Sequence, residues 1–594
     1  MTGHRRPVKV AHLTTIDLSL RYLVMPQLTA AARFGWEAIG ISAPGPYVAE
    51  LEAAGIRHIP LPTSSRGWSL RSDLGAARDL WRILKDEKVD ILHTHNPKPG
   101  LYGRILGRLA GVPIVVNTVH GLYATDDDPT AKRAAVYLTE GVASRFSDAE
   151  LVQSVEDLEL MTRYHITRRH RSALLGNGVD LARFDPARFG ADERERARAE
   201  IGAGPDDIVV GSVGRLVAEK GYPELVEAAE TLPDHYVVVA IGPDDPEKPD
   251  ALGPEFAARA ERAGMRLLGM RTDVEHWYAA MDVFVLASHR EGFPRAAMEA
   301  AAMGLPVVAT DIRGCRQVVD DGVNGRLVPV GDAIVLARVI EAIGEDPTAR
   351  RAMGEASRAK ARAEFDEDEV VHTVYSTYHA VARRKGVGAV LAAAPTTGEP
   401  VIRPATQSDV PHLARLHAEA IETGFLPALG AGVMERLYTA LVASTDAVVL
   451  VADGVWRPVG FVAGVADTGS FYRHFLRSHG VGAGFSALPR LVRPSVARRA
   501  WETLRYGSGD DDGPSAELLS MAVDYEVRRR GLGRALGDRF LAAMAERGVD
   551  GVRVVVGSRN QGAIAAYEAM GFARGDTIEV HEGESSEVLT WSAR

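Results

Sequence analysis

The sequence predicts an α/β chain: two parallel-sheet domains followed by a third, smaller domain. Three observations predict it. Short apolar runs of strand length alternate with helix-length stretches through roughly the first 380 residues, the pattern of parallel sheets. A charged stretch, Asp185 to Asp207, interrupts this alternation, which then starts again. A second interruption, Gly386 to Pro400, is small, turn-rich and almost uncharged, and about 195 residues follow it. The expected divisions are therefore 1–190, 191–385, a linker at 386–400, and 401–594.

In the first domain Val8 to Leu13, Ala38 to Ser42, Ile91 to Thr94 and Ile114 to Thr118 read as buried strands. The charged interruption contains the run Asp192 to Glu200 and is expected to be an exposed helix plus linker. The second set of strands is Ile208 to Val213, Tyr236 to Ile241, Met265 to Leu268, Val283 to Ala287 and Val307 to Ala309. At 594 residues the chain exceeds a single core, and length alone suggests about three or four domains. A net charge of −10 argues against a general nucleic-acid binder. With one cysteine, Cys315, no internal disulfide can form, which fits a reducing compartment. Neither a signal-peptide core nor an apolar run of about 18 residues is visible. The expectation is a cytoplasmic protein, with peripheral contact at the inner face of a membrane left open.

The densest chemical signal lies in the second domain. Gly211 to Gly221 follows a predicted strand and places Arg215 and Lys220 in one loop. Two cations at the carboxyl end of a strand suit a diphosphate whose charge must be neutralised as it leaves. Further on, Glu291-Gly-Phe293-Pro294 leads into a helix that carries Glu299, with Pro294 expected at its first position. Free N–H groups there can face phosphate or sugar oxygens. One carboxylate can hold sugar hydroxyls while the other holds the ribose.

Arg215, Lys220, Glu291, Phe293 and Glu299, together with Asn177 to Asp180 and Ala309 to Val319, resemble the donor site of retaining GT-B glycosyltransferases of family four. The resemblance covers about residues 7 to 380. It implies two Rossmann-like domains around a cleft, a nucleoside-diphosphate sugar as donor, UDP above all, and transfer without a metal. His93 to Arg104 and Thr118 to Gly121 resemble the branch that extends lipid-linked sugars in capsule, exopolysaccharide and glycoprotein assembly. It implies a polyprenyl-diphosphate-linked acceptor, with His120 beside the reacting sugar, although a histidine at this place can also simply cap a loop. Many relatives carry a diglycine near the first strand where this chain has Thr14 to Ser19, so no phosphate contact is assigned to the first domain. His93 and His95 look like metal ligands, but no carboxylate clusters with them in sequence, and a structural role is expected. Asp126 to Asp128 precede Pro129 and read as an exposed helix start.

The third domain has its own signature. A predicted strand, Glu517 to Val523, is followed by Arg528, Arg529, Gly531 and Gly533 opening a helix, where glycines let backbone approach a pyrophosphate. A second strand, Val552 to Val556, leads into Asn560 to Phe572. These segments resemble the GNAT acetyltransferases over about residues 400 to 590, implying a mixed α/β domain, acetyl-CoA and an amine acceptor. By that resemblance Tyr567 protonates the departing thiolate, backbone around Met521 and Val523 holds pantetheine and the thioester oxygen, and Asn560 belongs to the cofactor site. Glu517 is a candidate base for the amine, and Tyr567 also suits a core aromatic at helical spacing from Ile564. The fusion suggests that the amine belongs to an amino sugar; the alternative readings are a third domain that acetylates protein or only docks the transferase, and a GT-B-fold sugar-nucleotide epimerase in place of the transferase. Between Ser470 and Tyr506, arginines alternate with large apolar residues. That composition fits either an interfacial helix on anionic lipid or a helical insertion packed on the domain.

Overall fold

The computed structural model describes residues 6–64, 70–124, 128–246, 248–387, 401–420, 431–453, 458–475, 477–478, 514–524, 531–581 and 584–593. Most of the expected linker, Arg528 and Arg529, Asp126 and most of the arginine-rich segment lie outside the described residues. The chain divides into two compact units, residues 1–396 and 397–594.

The first unit holds two parallel sheets. Its first sheet comprises β1 (Lys9–Ile16), β2 (Glu37–Ala43), β3 (Arg57–Pro60), β4 (Ile91–Thr94), β5 (Ile114–Val119), β6 (Ala149–Val152) and β7 (Ser172–Leu174), in the order β3-β2-β1-β4-β5-β6-β7. Its second comprises β8 (Ile208–Val213), β9 (Tyr236–Ile241), β10 (Arg266–Leu267), β11 (Val283–Leu286), β12 (Val307–Thr310) and β13 (Gly325–Val328), in the order β10-β9-β8-β11-β12-β13. Val283 to Leu286 and Val307 to Thr310 are buried along their whole length, because helices cover both faces of the sheet. The strand order reverses direction at β1 and β4 in one sheet and at β8 and β11 in the other, where α/β sheets open a crevice.

One helix ties the two halves together. Glu367–Lys385 is capped by the Asp366 side chain and buries Val370, Val371, Val374, Tyr375, Tyr378, Val381 and Ala382, a stripe of helical period. Its start lies beside the second half, where Arg295 reaches Glu367 at 3.1 Å. Its body packs on the first half, where Tyr375 Oη donates to the Gln27 carbonyl at 2.8 Å.

The charged run forms the helix Ala191–Glu200, most of which is exposed as expected. One side is anchored: Arg194 and Arg198, one turn apart, both grip Asp282 at 2.7 and 2.9 Å, and Arg198 is only 6% exposed. One expectation needs correction. Pro294 is the residue before the helix Arg295–Ala302 rather than its first, with extended backbone that lets Arg295 begin the turn.

The second unit is a mixed sheet of β14 (Ile402–Pro404), β15 (Ala447–Asp453), β16 (Pro458–Val465), β17 (Ala516–Val523), β18 (Gly551–Gly557), β19 (Ala573–His581) and β20 (Glu584–Ser592). Its order is β14-β15-β16-β17-β18-β20-β19, antiparallel except for β17 against β18. Those two parallel strands pair only at Ala516↔Val552 and Glu517↔Arg553, so the ladder stops and β17 runs on to Val523 unpaired on that side. Helices Val410–Ala420 and Ala431–Ala443 cover one face, and Leu532–Glu546 and Gln561–Ala569 belong to the other core. Among the described residues no helix is long and apolar enough to cross a membrane.

Candidate functional sites

The first site collects at the carboxyl ends of β8 and β11. The loop after β8 places Lys220 in a one-turn helix, Ala218–Lys220, and its Nζ meets Glu291 Oε1 at 2.6 Å. Ser288 Oγ donates to the same oxygen at 2.8 Å, so the Glu291 carboxylate is held from two sides. Arg215, in the same loop, instead pairs with Asp245 at 2.5 Å. Glu299 accepts from Tyr278 Oη at 3.1 Å and Arg295 Nε at 3.2 Å, and burial pushes its carboxyl upward against the opposing charge of Arg295. Arg295 also reaches Glu367 at 3.1 Å, which joins Glu299 to the bridging helix. The Phe293 ring packs edge-on against Phe365, centroids 5.9 Å apart, and its carbonyl accepts from Asn177 Nδ2 at 3.3 Å. The structure thus joins Lys220 to Glu291 directly and gives Arg215, Glu299 and Phe293 separate partners.

Across the cleft lies the loop after β5. His120 opens onto a pocket of about 210 Å³, lined also by Asn96, Arg104, Asn117, Tyr123 and Glu140. Burial lowers its imidazole pKa to about 4, with a Gln153 hydrogen bond opposing, so the ring is neutral at pH 7. Arg104 is buried and carries two carboxylates, Glu140 at 2.6 Å and Glu150 at 3.0 Å. The two halves meet here on glycines: a Cβ on Gly292 would lie 2.1 Å from the His120 carbonyl oxygen. Arg313, from the loop after β12, crosses to the buried Asp157 at 2.6 Å. Cys315 is buried, and its thiol is pushed up to about 12 by desolvation, which makes it a packing residue. A larger cavity, about 840 Å³, is lined by Arg194, Asp207, His235 and Asp282 at the amino ends of the strands, the edge opposite the usual ligand crevice.

In the second unit the gap beyond the β17–β18 pairing is the notable geometry. Met521 and Val523 are half-buried on the unpaired stretch of β17. Gly531 caps the helix Leu532–Glu546 at φ +82°, a left-handed conformation that suits glycine. At Gly533 a Cβ would meet only Val523 Cγ2, at 3.7 Å. Asn560 caps Gln561–Ala569 by accepting from Ala563 N–H at 3.1 Å. Tyr567 is buried against Phe572, centroids 5.6 Å apart, and burial raises its hydroxyl to about 12. Glu517 is buried and accepts from Arg553 Nε at 3.1 Å and Thr468 Oγ1 at 3.4 Å. Its carboxyl is raised by burial against Arg553's opposing charge.

Comparison with known proteins settles the class. Residues 193–360 match the family described as Glycosyl transferases group 1, and residues 23–178 match the Glycosyl transferase 4-like domain. The chain is 33% identical over 284 residues to UDP-Gal:alpha-D-GlcNAc-diphosphoundecaprenol alpha-1,3-galactosyltransferase of Escherichia coli, covering 47% of this chain and 72% of that one. The chain belongs to the group 1 glycosyl transferases. It is also 25% identical over 381 residues to the capsular polysaccharide biosynthesis glycosyltransferase CapM of Staphylococcus aureus, covering 62% of this chain and 97% of that one. HepE of Anabaena, solved with UDP, shares the fold at a TM-score of 0.54 and 20% identity, covering 63% of this chain and 100% of that one. Residues 444–572 match the Acetyltransferase (GNAT) family. This glycosyltransferase therefore uses a nucleotide sugar and carries a GNAT domain, for which acetyl-CoA is the implied cosubstrate.

Several polar groups at these sites have no local sequence signal. Asp157 and Arg313 stand far apart in the chain and meet only in the fold. In the GNAT domain His417 contacts Tyr438 Oη at 2.7 Å and Ser520 Oγ at 3.2 Å, with its imidazole lowered to about 4 by burial. Ser520 neighbours Met521 on β17.

Proposed function

We propose that the first unit transfers a hexose or N-acetylated amino sugar from a uridine diphosphate onto a polyprenyl-diphosphate-linked sugar. The transfer retains anomeric configuration, needs no metal and serves surface polysaccharide or glycoconjugate synthesis. The carrying observation is the Lys220–Glu291 pair at the mouth of β8 and β11. A bound diphosphate offers Lys220 a more highly charged partner, which releases Glu291 to accept from sugar hydroxyls. Arg215 adds the second cation, and the leaving charge is neutralised by protein groups. Glu299 holds the ribose, and His120 meets the reacting sugar. The pocket beside His120 has its one buried guanidinium already matched by two carboxylates, which suits a neutral, hydroxyl-rich acceptor sugar better than a phosphate. The name of the Escherichia coli relative, which specifies UDP-Gal and a diphosphoundecaprenol-linked GlcNAc, supports both donor and acceptor class.

The GNAT domain moves acetyl from acetyl-CoA to an amine, that of an amino sugar on the nucleotide or on the growing glycan. The amine nitrogen attacks the thioester carbonyl, a C–N bond forms and the C–S bond breaks. Glu517 takes the amine proton and Tyr567 returns one to the thiolate. Met521 and Val523 supply backbone contacts, while Arg528, Arg529, Gly531, Gly533 and Asn560 frame the cofactor. The working division is 1–190 for the acceptor half, 191–385 for the donor half, 386–400 as linker and 401–594 for acetyl transfer. The protein works in the cytoplasm, where its lipid-linked acceptor is presented at the inner membrane face.

The test is the product's anomeric configuration by NMR, with and without EDTA, using UDP-sugars and a polyprenyl-diphosphate-GlcNAc acceptor. Retention with full activity in EDTA is the expected result; inversion or a metal requirement overturns it. For the second site, mass spectrometry of an amino-sugar panel with acetyl-CoA should show one acetyl gained; acetylation of protein lysines alone overturns the amino-sugar assignment.

A further inference from the structure

His120 is the outer end of a longer arrangement. His12 on β1, His93 on β4 and His95 just after β4 are all fully buried, and the β1–β4 register sets His12 opposite His93. A continuous chain of contacts runs through them. Thr118 Oγ1 lies 2.7 Å from His93 Nε2, and His93 Nδ1 lies 2.6 Å from Tyr378 Oη. Tyr378 Oη lies 3.5 Å from His12 Nε2, and His12 Nδ1 lies 2.9 Å from His95 Nε2. His95 Nδ1 then reaches His120 Nε2 at 3.0 Å. Burial lowers the pKa of all four imidazoles, so each is neutral and carries one proton.

A metal is the obvious alternative, since ring nitrogens of His12, His93 and His95 lie within 4.8 Å of one another. The 2.9 Å between His12 and His95 is shorter than a shared ion would set. Two imidazole nitrogens on one tetrahedral zinc, each about 2.0–2.1 Å from the ion, stand roughly 3.3 Å apart. A 2.9 Å contact is a shared proton.

The chain runs in one of two concerted directions. In one, the Tyr378 hydroxyl donates to His93 Nδ1, His12 Nε2–H donates to the Tyr378 oxygen, His95 Nε2–H to His12 Nδ1 and His120 Nε2–H to His95 Nδ1; in the other, each proton sits at the opposite end of its contact. Either way one ring fixes the next. Gln153 also bonds His120.

We propose that His95, His12 and Tyr378 are positioning residues: their relay holds His120 in a single tautomer and ring orientation against a hydroxyl of the bound sugar. This rests on His120 facing the substrate. Tyr378 comes from the bridging helix Glu367–Lys385, whose first residue carries Arg295 of the donor half, so the tautomer at the acceptor side depends on a helix docked at the donor side.

The test uses the full chain with ring-¹⁵N histidine and reads the His120 tautomer by NMR, alongside kcat and KM for the nucleotide sugar. Tyr378→Phe should convert His120 from a single tautomer to a tautomer mixture and lower kcat about tenfold, with KM changed less than twofold. His95→Leu should do the same more severely. His95→Asn keeps a hydrogen-bonding amide near the lost Nδ1 and should recover most of the activity. An unchanged tautomer in Tyr378→Phe overturns the relay, as does His95→Asn performing no better than His95→Leu. Zinc added alone and retained through desalting, and lost in His12→Leu, also overturns it. A changed tautomer with unchanged kcat upholds the relay and overturns instead the placement of His120 against the substrate.

Discussion

The contact between the two halves of the transferase makes a quantitative prediction at Gly292. An alanine there puts its Cβ 2.1 Å from the His120 carbonyl oxygen, and Gly121 stands next to it, its own Cβ position 2.9 Å from Gly292 Cα. The clashing atoms are backbone, so no side chain can swing away. Relief to an ordinary contact of about 3.3 Å requires the loop carrying Glu291 to move about 1 Å from the loop carrying His120. Misplacement of about 1 Å between reacting groups costs on the order of 10²-fold in rate. Gly292→Ala should therefore lower kcat for sugar transfer about 100-fold. Donor binding, centred on Lys220 and Arg215, should weaken far less. The assay is UDP release with acceptor saturating, together with equilibrium binding of UDP. Wild-type kcat in Gly292→Ala would refute the reasoning, because the close approach would then have no part in assembling the site.

Further predictions follow from individual groups. Lys220→Met should weaken UDP binding at least tenfold and leave the half-buried Glu291 without its cation, measured by calorimetry. His12 is held to about 3 in the fold against about 6.5 unfolded, so its contribution is complete above pH 6.5 and is lost as pH falls toward 3. Between pH 7 and pH 5 this amounts to about 2 kcal/mol, which hydrogen exchange in β1 and β4 should show as lost protection. Protection that is unchanged or rises at pH 5 would contradict it. Gly533→Ala meets only one ordinary contact, so it should keep the fold and weaken acetyl-CoA binding, measured by fluorescence competition. Glu517→Gln should lower acetyl transfer about 100-fold with acetyl-CoA binding intact, whereas Arg553→Leu should destabilise the domain by about 3–5 kcal/mol in urea unfolding.

The α/β class was legible because both parallel sheets bury strands on two faces, and continuous apolar runs such as Ile208 to Val213 and Tyr236 to Ile241 are strands end to end. Edge strands were not. β3 and β7 are three or four residues long and partly exposed, and the β19–β20 hairpin carries polar residues such as Thr577 and Glu587 that mask its period. The anchored side of the helix Ala191–Glu200 was not legible, because arginines that grip a half-buried aspartate look like solvated ones in sequence. At the donor site, local motifs named Lys220 and Glu291, and the fold brings them into contact. The partners of the histidines were invisible: Tyr378 lies 285 residues from His93, and nothing local marks either as half of a pair. Long-range polar contacts carry no period, so only the register of β1 against β4 and the docking of the bridging helix reveal them.

The most direct measurement is mass spectrometry of a polyprenyl-diphosphate-GlcNAc acceptor incubated with the full chain and a panel of nucleotide sugars. The account predicts a gain of one sugar from a UDP donor, lost in Lys220→Met. Transfer that persists in Lys220→Met, or a nucleotide sugar consumed with no sugar gained by the acceptor, would contradict it.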